Sequence, residues 1–498
     1  MLFNSYSFIF IFLPISFFGY FFLLKYRQIT GAKVFLVFAS LVFYSWWNIA
    51  YLPLIIISML FNYTVGNFLN KKDQKINKKS LLILGIIANV SLLGYFKYTD
   101  FMIENYNAIF DTSIGLMHLA LPLAISFFTF QQIAYLVDSY RGETVEYNFL
   151  NYALFVTFFP QLIAGPIVHH EEMMPQFSSP FNWIKRYKNI ALGLFIFTIG
   201  LFKKVAIADN FAIWANIGFD KAVSLHFFDA WATSLSYTFQ LYFDFSGYTD
   251  MAIGIALLFN IRLPINFNSP YKANNIQDFW RRWHMTLSRF LKEYIYIPLG
   301  GNRKGTLLTY GNLMATFIIG GIWHGAGWTF VFWGFLHGIA IVIHKIWNQL
   351  GFKMWRWMAW FLTFNFVNVA WVFFRAKHWD DAIKVLDGMV DYDTMFFTDK
   401  YITLYNHTIK KLSSMMPNLQ AHKDVSSLFD FTVFIWIIFT FIVVLKYKNS
   451  HEIIAYTDEN KAKNTLTILH AFSFALLFLF SILYISLSTY SEFIYFNF

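Results

Sequence analysis

Apolar runs of about 17 residues or more recur along almost the whole 498-residue chain. A run of this length crosses about 30 Å of hydrocarbon as an α-helix, which rises about 1.5 Å per residue. Irregular backbone and open sheet edges cannot face lipid, because their peptide groups would lack hydrogen-bond partners, so such spans must be helical. We therefore predict an all-α polytopic membrane protein of about 11 transmembrane helices, built as one domain over residues 1–498.

Charged residues make up 13% of the chain, against roughly 25% in average soluble domains. The net charge of +10 comes from lysines and arginines in short connections between apolar runs, so it reflects positive-inside bias and argues against nucleic acid as a partner. The strongest basic cluster, at 71–79, follows the third run and is predicted to be cytoplasmic, which places both termini outside. The chain has no cysteine, which excludes disulfides, thiolate metal sites and a cysteine nucleophile.

Four segments depart from simple spans. Pro160 and Pro166 interrupt an apolar run at 150–172, so we predict a broken, re-entrant segment buried in protein. The run at 231–259 is predicted to break at Asp244-Phe245-Ser246-Gly247. The polar segment 376–427 is predicted to be an extracytoplasmic loop, and the aromatic tail at 491–498 to dock into the protein near the active site, because an aromatic tail in water is unfavourable.

The stretch 277–337 is the most informative part of the sequence. Its first half places Trp280, Trp283, His284 and Leu287 on one stripe at spacings of three and four, which predicts an amphipathic helix near the membrane interface. Its second half is an apolar span, 306–323, that ends on His324. An ionisable side chain at the end of such a span is costly unless it faces the protein interior or a water-filled cavity, so His324 is a functional candidate.

Seven motifs carry a resemblance to a known family, and they are distributed along nearly the whole chain. They are Met1-Leu2-Phe3-Asn4-Ser5, Leu121-Pro122-Leu123 with Ser126-Phe127-Phe128-Thr129-Phe130-Gln131, Tyr242-Phe243-Asp244-Phe245-Ser246-Gly247-Tyr248, Phe279-Trp280-Arg281-Arg282-Trp283-His284, Ile297-Pro298-Leu299-Gly300-Gly301-Asn302-Arg303, Gly320-Gly321-Ile322-Trp323-His324-Gly325 and Phe373-Phe374-Arg375-Ala376. Together they resemble the membrane-bound O-acyltransferase family, in the bacterial branch that acetylates alginate and peptidoglycan.

The resemblance implies a ring of helices around a thin centre, where an outer funnel and a cytoplasmic tunnel meet at the family histidine. That histidine corresponds to His324, and a second family histidine corresponds to His284. The tail Phe493-Ile494-Tyr495-Phe496-Asn497-Phe498 resembles the acyl-carrying motif of a small partner in teichoic acid D-alanylation, which would make Tyr495 an acyl relay. The resemblance also implies a bacterial inner-membrane location and a periplasmic SGNH-type O-acetyltransferase as protein partner.

Acyl transfer from a thioester needs a base for the acceptor hydroxyl, and a neutral imidazole suits that task. We hypothesise that His324 deprotonates the hydroxyl of Tyr495, or of a later acceptor, for attack on acetyl-CoA supplied from the cytoplasm. The alternative is that His324 is only a hydrogen-bonded core residue. The same alternative applies to His284, which could simply bond a backbone carbonyl, and Tyr495 could lie in a tail that merely packs.

Other polar residues have competing interpretations. The phosphates of coenzyme A could bind the cations of the central stretch, although these cations could equally reflect positive-inside bias or contact lipid headgroups. The cations are Arg281, Arg282, Arg289, Arg303 and Lys304. Asp244 and Asp250 are predicted to be paired or hydrogen-bonded. No metal is expected, because the adjacent His169-His170-Glu171-Glu172 lacks a second ligand group at zinc-like spacing.

Two function classes remain at this point. The favoured class is an enzyme that passes acetyl groups across the membrane to an envelope polysaccharide, with D-alanyl transfer to a teichoic-acid-like polymer as a variant. The other class is a transporter or flippase, in which broken helices line a substrate path.

Overall fold

A computed structural model describes residues 1–71, 77–144, 148–395, 428–429, 431–454, 456, 468–487 and 493–494. All the regular secondary structure in these ranges is helical. The α-helices are α1 (Leu13–Lys25), α2 (Ile29–Ser45), α3 (Leu52–Asn70), α4 (Lys78–Phe110), α5 (Ile125–Arg141), α6 (Phe149–Thr157), α7 (Phe159–Leu162), α8 (His170–Ser178), α9 (Tyr187–Phe202), α10 (Asp209–Asn216), α11 (Phe227–Leu258), α12 (Ile276–Trp280), α13 (Met285–Leu291), α14 (Thr306–His324), α15 (Trp328–Gln349), α16 (Arg356–Arg375), α17 (Trp379–Val390), α18 (Tyr392–Met395), α19 (Phe431–Lys446), α20 (Ser450–Ile453) and α21 (Ile468–Leu487).

Within the described ranges, seven helical stretches are long and apolar enough to cross a membrane. They are Phe8–Lys25, Ile49–Asn70, Lys78–Phe110, Tyr187–Lys221, Thr306–His324, Trp328–Gln349 and Arg356–Arg375, and shorter apolar helices occur at Ile29–Ser45, Phe431–Lys446 and His470–Ser486. The chain is therefore an all-α multi-pass membrane protein, as predicted, although this inventory does not confirm the count of 11 spans. The segment predicted to be a loop at 376–427 contains α17 and α18, and residues 396–427 lie outside the description.

The central element is α11, a helix of 32 residues whose side chains are almost all buried from Asp229 onward. It packs directly on α9 at facing glycines. A Cβ atom added to Gly254 would lie 2.5 Å from the Gly193 carbonyl oxygen, and one added to Gly200 would lie 2.5 Å from the Gly247 carbonyl oxygen. The two backbones therefore touch, which is how small residues promote helix association in membranes.

The predicted break of α11 at 244–247 is wrong, because the helix is continuous from Phe227 to Leu258. The residues that suggested a break are satisfied by neighbouring helices. The Asp244 carboxylate pairs with Lys204 Nζ at 2.7 Å, and Gly247 lies against the backbone of α9. The Asp244 carboxylate in this apolar helix therefore reflects an ion pair with a neighbouring helical segment, and the helix itself is not interrupted.

The segment from α6 to α8 is broken and buried, as the sequence predicts. The helix stops at Phe158 and restarts at Phe159-Pro160, and residues 152–170 are all buried. The interrupted backbone is paired within the protein: the Phe159 N–H donates to Ser40 Oγ at 3.1 Å, and the Ile167 N–H donates to Thr286 Oγ1 at 3.1 Å.

Candidate active site

His324 is the last residue of α14, at the point where the chain turns through Gly325-Ala326-Gly327 into α15. A Cβ atom at Gly325 would lie 2.2 Å from the Phe330 ring, so only glycine fits this turn. The His324 side chain is buried among aromatic rings, with centroid distances of 4.9 Å to Trp323 and 5.1 Å to Trp333. The fold therefore places the predicted histidine inside the protein.

His284 lies beside it, with the two imidazole centroids 6.4 Å apart. The orientation of His284 is set by Asn266, whose Oδ1 accepts the Thr286 backbone N–H at 3.2 Å and lies 3.2 Å from His284 Nδ1. Since this oxygen is an acceptor, Nδ1 carries the proton and donates to it, and Nε2 is an acceptor. Nε2 is buried and has no hydrogen-bond partner among the described residues.

The predicted single amphipathic helix around His284 is wrong. The segment forms two short helices, α12 and α13, separated by a turn in which His284 adopts a left-handed conformation with φ of 43°. The turn is stabilised by Asn266, which takes the first hydrogen bonds of α13 through the Thr286 N–H and hydroxyl. All four residues of the predicted stripe are nevertheless buried: Trp280, Trp283, His284 and Leu287.

A third buried histidine, His337 on α15, was not selected from the sequence. Trp280 Nε1 donates to His337 Nδ1 at 3.1 Å, and the His337 ring lies 4.7 Å from Trp333, which also packs on His324. The feature of the sequence that could have indicated His337 is the presence of an ionisable residue within the apolar run of α15. Its partner, Trp280, is 57 residues away in the chain, so the sequence does not indicate their contact.

A cavity of about 540 Å³ opens beside the first half of α14, and we call it the basic cavity. Its lining includes the cations Arg281, Lys292 and Lys345 together with Trp280 and Thr316. A cavity lined by both cationic and aromatic side chains suits a ligand that carries phosphate groups on an extended chain. Lys292 and Lys345 were not among the candidates chosen from the sequence.

A second cavity of about 270 Å³ lies at the other end of α14, and we call it the small cavity. It is lined by residues of the turn after His324, namely Gly325 and Ala326, and by Lys97 and Asp100 of α4. The two cavities therefore lie on opposite sides of His324 along the helix axis.

His324 itself lines neither cavity. Thr316, on the wall of the basic cavity, precedes it by eight residues on the same helix, which corresponds to about 12 Å along the axis. The rings of Trp333 and Phe374 each lie 5.1 Å from the His324 ring and pack against it.

The five cations predicted to bind coenzyme A have different surroundings. Arg281 lines the basic cavity. Arg282 donates to Asp278 Oδ1 at 2.9 Å, and Arg289 forms a double hydrogen bond with Glu172. The remaining two, Arg303 and Lys304, are exposed in the turn before α14 and do not line the basic cavity.

The Glu172–Arg289 pair belongs to a polar cluster that includes part of the histidine-glutamate run. Burial opposes ionisation of Glu172, but the hydrogen bonds and charge of Arg289 outweigh it and lower the pKa of Glu172 below its usual value. The Tyr294 hydroxyl donates to Asp138 Oδ1 at 2.8 Å, and burial together with this carboxylate raises the pKa of Tyr294. His169 Nδ1 lies 3.0 Å from the same hydroxyl, so His169 is part of a hydrogen-bonded network.

Asp244 and Asp250, which are buried on α11, are paired, as predicted. Asp244 contacts Lys204, and Asp250 contacts Lys203 Nζ at 2.7 Å and His451 Nε2 at 3.2 Å. These ion pairs connect α11 to the end of α9 and to α20.

Asp244 also holds the described part of the C-terminal tail. The Ile494 N–H donates to Asp244 Oδ2 at 2.8 Å, and the Phe493 ring stacks on Tyr248 at a centroid distance of 4.3 Å. Phe245, one turn earlier on α11, lies 4.8 Å from the His284 ring. Tyr495 itself lies outside the described residues.

Comparison with known proteins agrees with this architecture. Residues 38–378 match the family model described as MBOAT, membrane-bound O-acyltransferase family. The chain is 52% identical to a peptidoglycan O-acetyltransferase of Helicobacter pylori, over 100% of this chain and 98% of the relative. It is 40% identical to a probable alginate O-acetylase of Azotobacter vinelandii, over 80% of each chain. A teichoic acid D-alanyltransferase of Streptococcus thermophilus is more distant, at 25% identity over 51% of this chain and 68% of the relative.

The family match covers α4, α5, α11 and α14, which carry or contact the histidine site. A match of this extent and a relative that aligns over the full chain establish the relationship without reference to any single motif. The chain belongs to the membrane-bound O-acyltransferase family.

Proposed function

We propose that this protein takes acetyl from a cytoplasmic thioester, acetyl-CoA, and passes it across the membrane for O-acetylation of an envelope polysaccharide. The observation that carries this proposal is the position of His324, which ends a membrane-length helix between two cavities of different character. The basic cavity is assigned to the cytoplasmic side, since cations concentrate there. We further propose that both termini lie outside and that the membrane is the bacterial inner membrane.

Peptidoglycan is the favoured acceptor polymer. The relative named for peptidoglycan is 52% identical over the full chain, whereas the alginate relative is 40% identical over 80% of it. Transfer of D-alanine to a teichoic-acid-like polymer is disfavoured by the 25% identity over half of this chain.

The proposed reaction uses His324 as general base. The imidazole removes the proton of an attacking hydroxyl, the oxygen forms a bond to the acetyl carbonyl carbon, and the carbon–sulfur bond of the thioester breaks. The proton then passes from the imidazolium to the departing thiolate. The His284 ring lies 6.4 Å from the His324 ring and its Nε2 is an acceptor, and we assign it the positioning of His324 or of the acceptor hydroxyl.

We propose Tyr495 as the first acyl acceptor. Phe493 and Ile494, the two residues before Tyr495, are buried beside Tyr248 and Asp244. A phenyl ester is a good acyl donor, so an acetylated Tyr495 could transfer its acetyl group to a periplasmic SGNH-type O-acetyltransferase.

The central experiment incubates purified protein with radiolabelled acetyl-CoA and follows thioester hydrolysis and labelled protein. The His324→Ala variant should lose activity by about 100-fold or more, since general base catalysis contributes about 10²–10⁴-fold. Tyr495→Phe should abolish the labelled protein while the fold is retained. Undiminished turnover in His324→Ala would refute the proposal, and movement of an envelope precursor without loss of acetyl would favour a transporter.

The donor site has its own test. Replacing Arg281, Lys292 and Lys345 by Gln should raise the KM for acetyl-CoA about 10-fold or more, because charge-assisted bonds to phosphate contribute about 1.5–3 kcal/mol each. The matched control is Lys353→Gln, which removes an exposed cation that does not line the cavity. An unchanged KM in the triple variant would show that the phosphates bind elsewhere.

A further inference from the structure

Two adjacent side chains of α4 donate hydrogen bonds to the carbonyl groups at the end of α14. Lys97 Nζ donates to the Trp323 carbonyl oxygen at 2.7 Å and to the His324 carbonyl oxygen at 2.9 Å. The Tyr98 hydroxyl donates to the Ile322 carbonyl oxygen at 2.6 Å. A third contact of Lys97 Nζ, to Ser126 Oγ at 3.4 Å, connects the same site to α5.

These contacts answer a specific requirement of α14. The last four carbonyls of an α-helix have no partner within the helix, and an unpaired carbonyl is costly away from water. The carbonyl of Gly321 accepts the N–H of Gly325 at 3.4 Å. The next three carbonyl oxygens accept hydrogen bonds from Tyr98 and Lys97, so the whole last turn is paired.

Lys97 does more than complete hydrogen bonding. An ionisable lysine in a membrane-length apolar helix carries a large cost. A neutral donor such as the Tyr98 hydroxyl would satisfy a carbonyl at lower cost. The lysine also lines the small cavity, next to the turn that follows His324.

We propose that Lys97 is a positioning residue for His324. By binding the carbonyl oxygens of His324 and of the residue before it, Lys97 fixes the backbone from which the imidazole projects. The aromatic rings around His324 contact its side chain, whereas Lys97 bonds the backbone carbonyl of His324 itself, so this anchor contributes to the direction of the imidazole. The inference rests on the proposed role of His324 as general base.

The first test compares Lys97→Met with Tyr98→Phe. Each variant removes donors to the same helix end, but only the first removes the bond to the His324 carbonyl oxygen. A displacement of about 1 Å at a catalytic group costs about 100-fold in rate. Lys97→Met should therefore lower kcat about 100-fold with the KM for acetyl-CoA changed less than about twofold, whereas Tyr98→Phe should lower kcat less than about 10-fold.

The second test uses the absence of cysteine from the chain. Lys97→Cys introduces the only thiol, and 2-bromoethylamine converts it to a thioether that carries an amine at the same distance from Cβ as in lysine. The sulfur–carbon bond forms as bromide leaves and the thiol proton is released. Bromoethane gives an uncharged thioether without the amine and serves as the control, with both alkylations verified by intact mass.

Aminoethylation should restore kcat at least 10-fold over the ethylated control. A purely structural role predicts that Lys97→Met loses folded protein instead of kcat, which monodispersity on size-exclusion chromatography and active-protein titration would reveal. Wild-type kcat in folded Lys97→Met, or equal kcat of the two fully alkylated proteins, would overturn the inference. His324→Ala, assayed in parallel, separates the two proposals: if it is inactive while Lys97→Met is fully active, only the role of Lys97 fails.

Discussion

Replacement of Phe493 by Ala should release the C-terminal tail from the protein. The Phe493 side chain is 1% exposed, stacks on Tyr248 at 4.3 Å and lies 6.3 Å from the Phe245 ring. The neighbouring Ile494 N–H donates to the charged Asp244 carboxylate. These contacts bring together the described part of the tail and the middle of α11.

The magnitude follows from burial. Truncation of a fully buried phenylalanine to alanine costs about 3–5 kcal/mol, the sum of lost transfer free energy and the cavity that remains. The cost falls on docking of the tail and not on the whole fold, since α11 and its ion pairs are unaffected. Because each 1.4 kcal/mol is a factor of ten, the undocked fraction should rise by roughly 100-fold or more.

Carboxypeptidase digestion followed by intact mass spectrometry measures this fraction. Cleavage past Ile494 requires the tail to leave its site, so its rate follows the undocked population when docking is fast. The matched control is Phe472→Ala on α21, whose ring is 61% exposed, and this variant should be digested like the wild type. If Phe493→Ala is digested no faster than the control, Phe493 does not hold the tail and the reasoning fails.

Two further predictions concern packing and pH. Gly254→Ala should destabilise the protein by about 1–3 kcal/mol, because its Cβ would lie 2.5 Å from the Gly193 carbonyl oxygen. Gly94→Ala is the control, since a Cβ atom there would have no atom within 4 Å. Equal melting temperatures of the two variants in detergent would contradict this reasoning. The pKa of Glu172 is lowered in the folded protein, so the stabilisation from its pair with Arg289 should be complete above the usual glutamate pKa of about 4.3 and lost as pH falls through the lowered value. The difference in melting temperature between wild type and Glu172→Gln should therefore shrink on acidification, and a difference that grows in acid would exclude this pair as its source.

Ion pairs in this protein, buried at Lys204–Asp244 and half-buried at Glu172–Arg289, hold elements together across long stretches of chain. Lys204 and Asp244, which are 40 positions apart, and Glu172 and Arg289, which are 117 positions apart, connect segments that hydropathy describes separately. Removing one partner of a buried pair is strongly destabilising because it leaves an uncompensated charge. Such residues are therefore poor evidence for catalysis when they are found in apolar segments by sequence alone.

The sequence by itself determined the class of the protein and the place to look for its chemistry. Apolar runs of membrane length require helices, because lipid offers no partner for a free peptide group. The same constraint predicted that the interrupted segment before α8 is buried, since only protein could pair its backbone. The sequence also indicates His324 as a functional candidate, because an ionisable group at the end of an apolar span is costly unless it faces the protein interior or a water-filled cavity.

Tertiary structure alone decided which polar groups meet. The sequence suggests Arg289 as a phosphate ligand, but in the structure Arg289 pairs with Glu172. The cations Lys292 and Lys345, which the sequence does not single out, line the basic cavity. Asn266, 18 residues before His284, divides the predicted amphipathic helix into α12 and α13. Hydrophobic periodicity is a local property that neighbouring residues reveal, but hydrogen bonds and ion pairs form between residues that only packing brings together, so the surroundings of His324 could not be read along the chain.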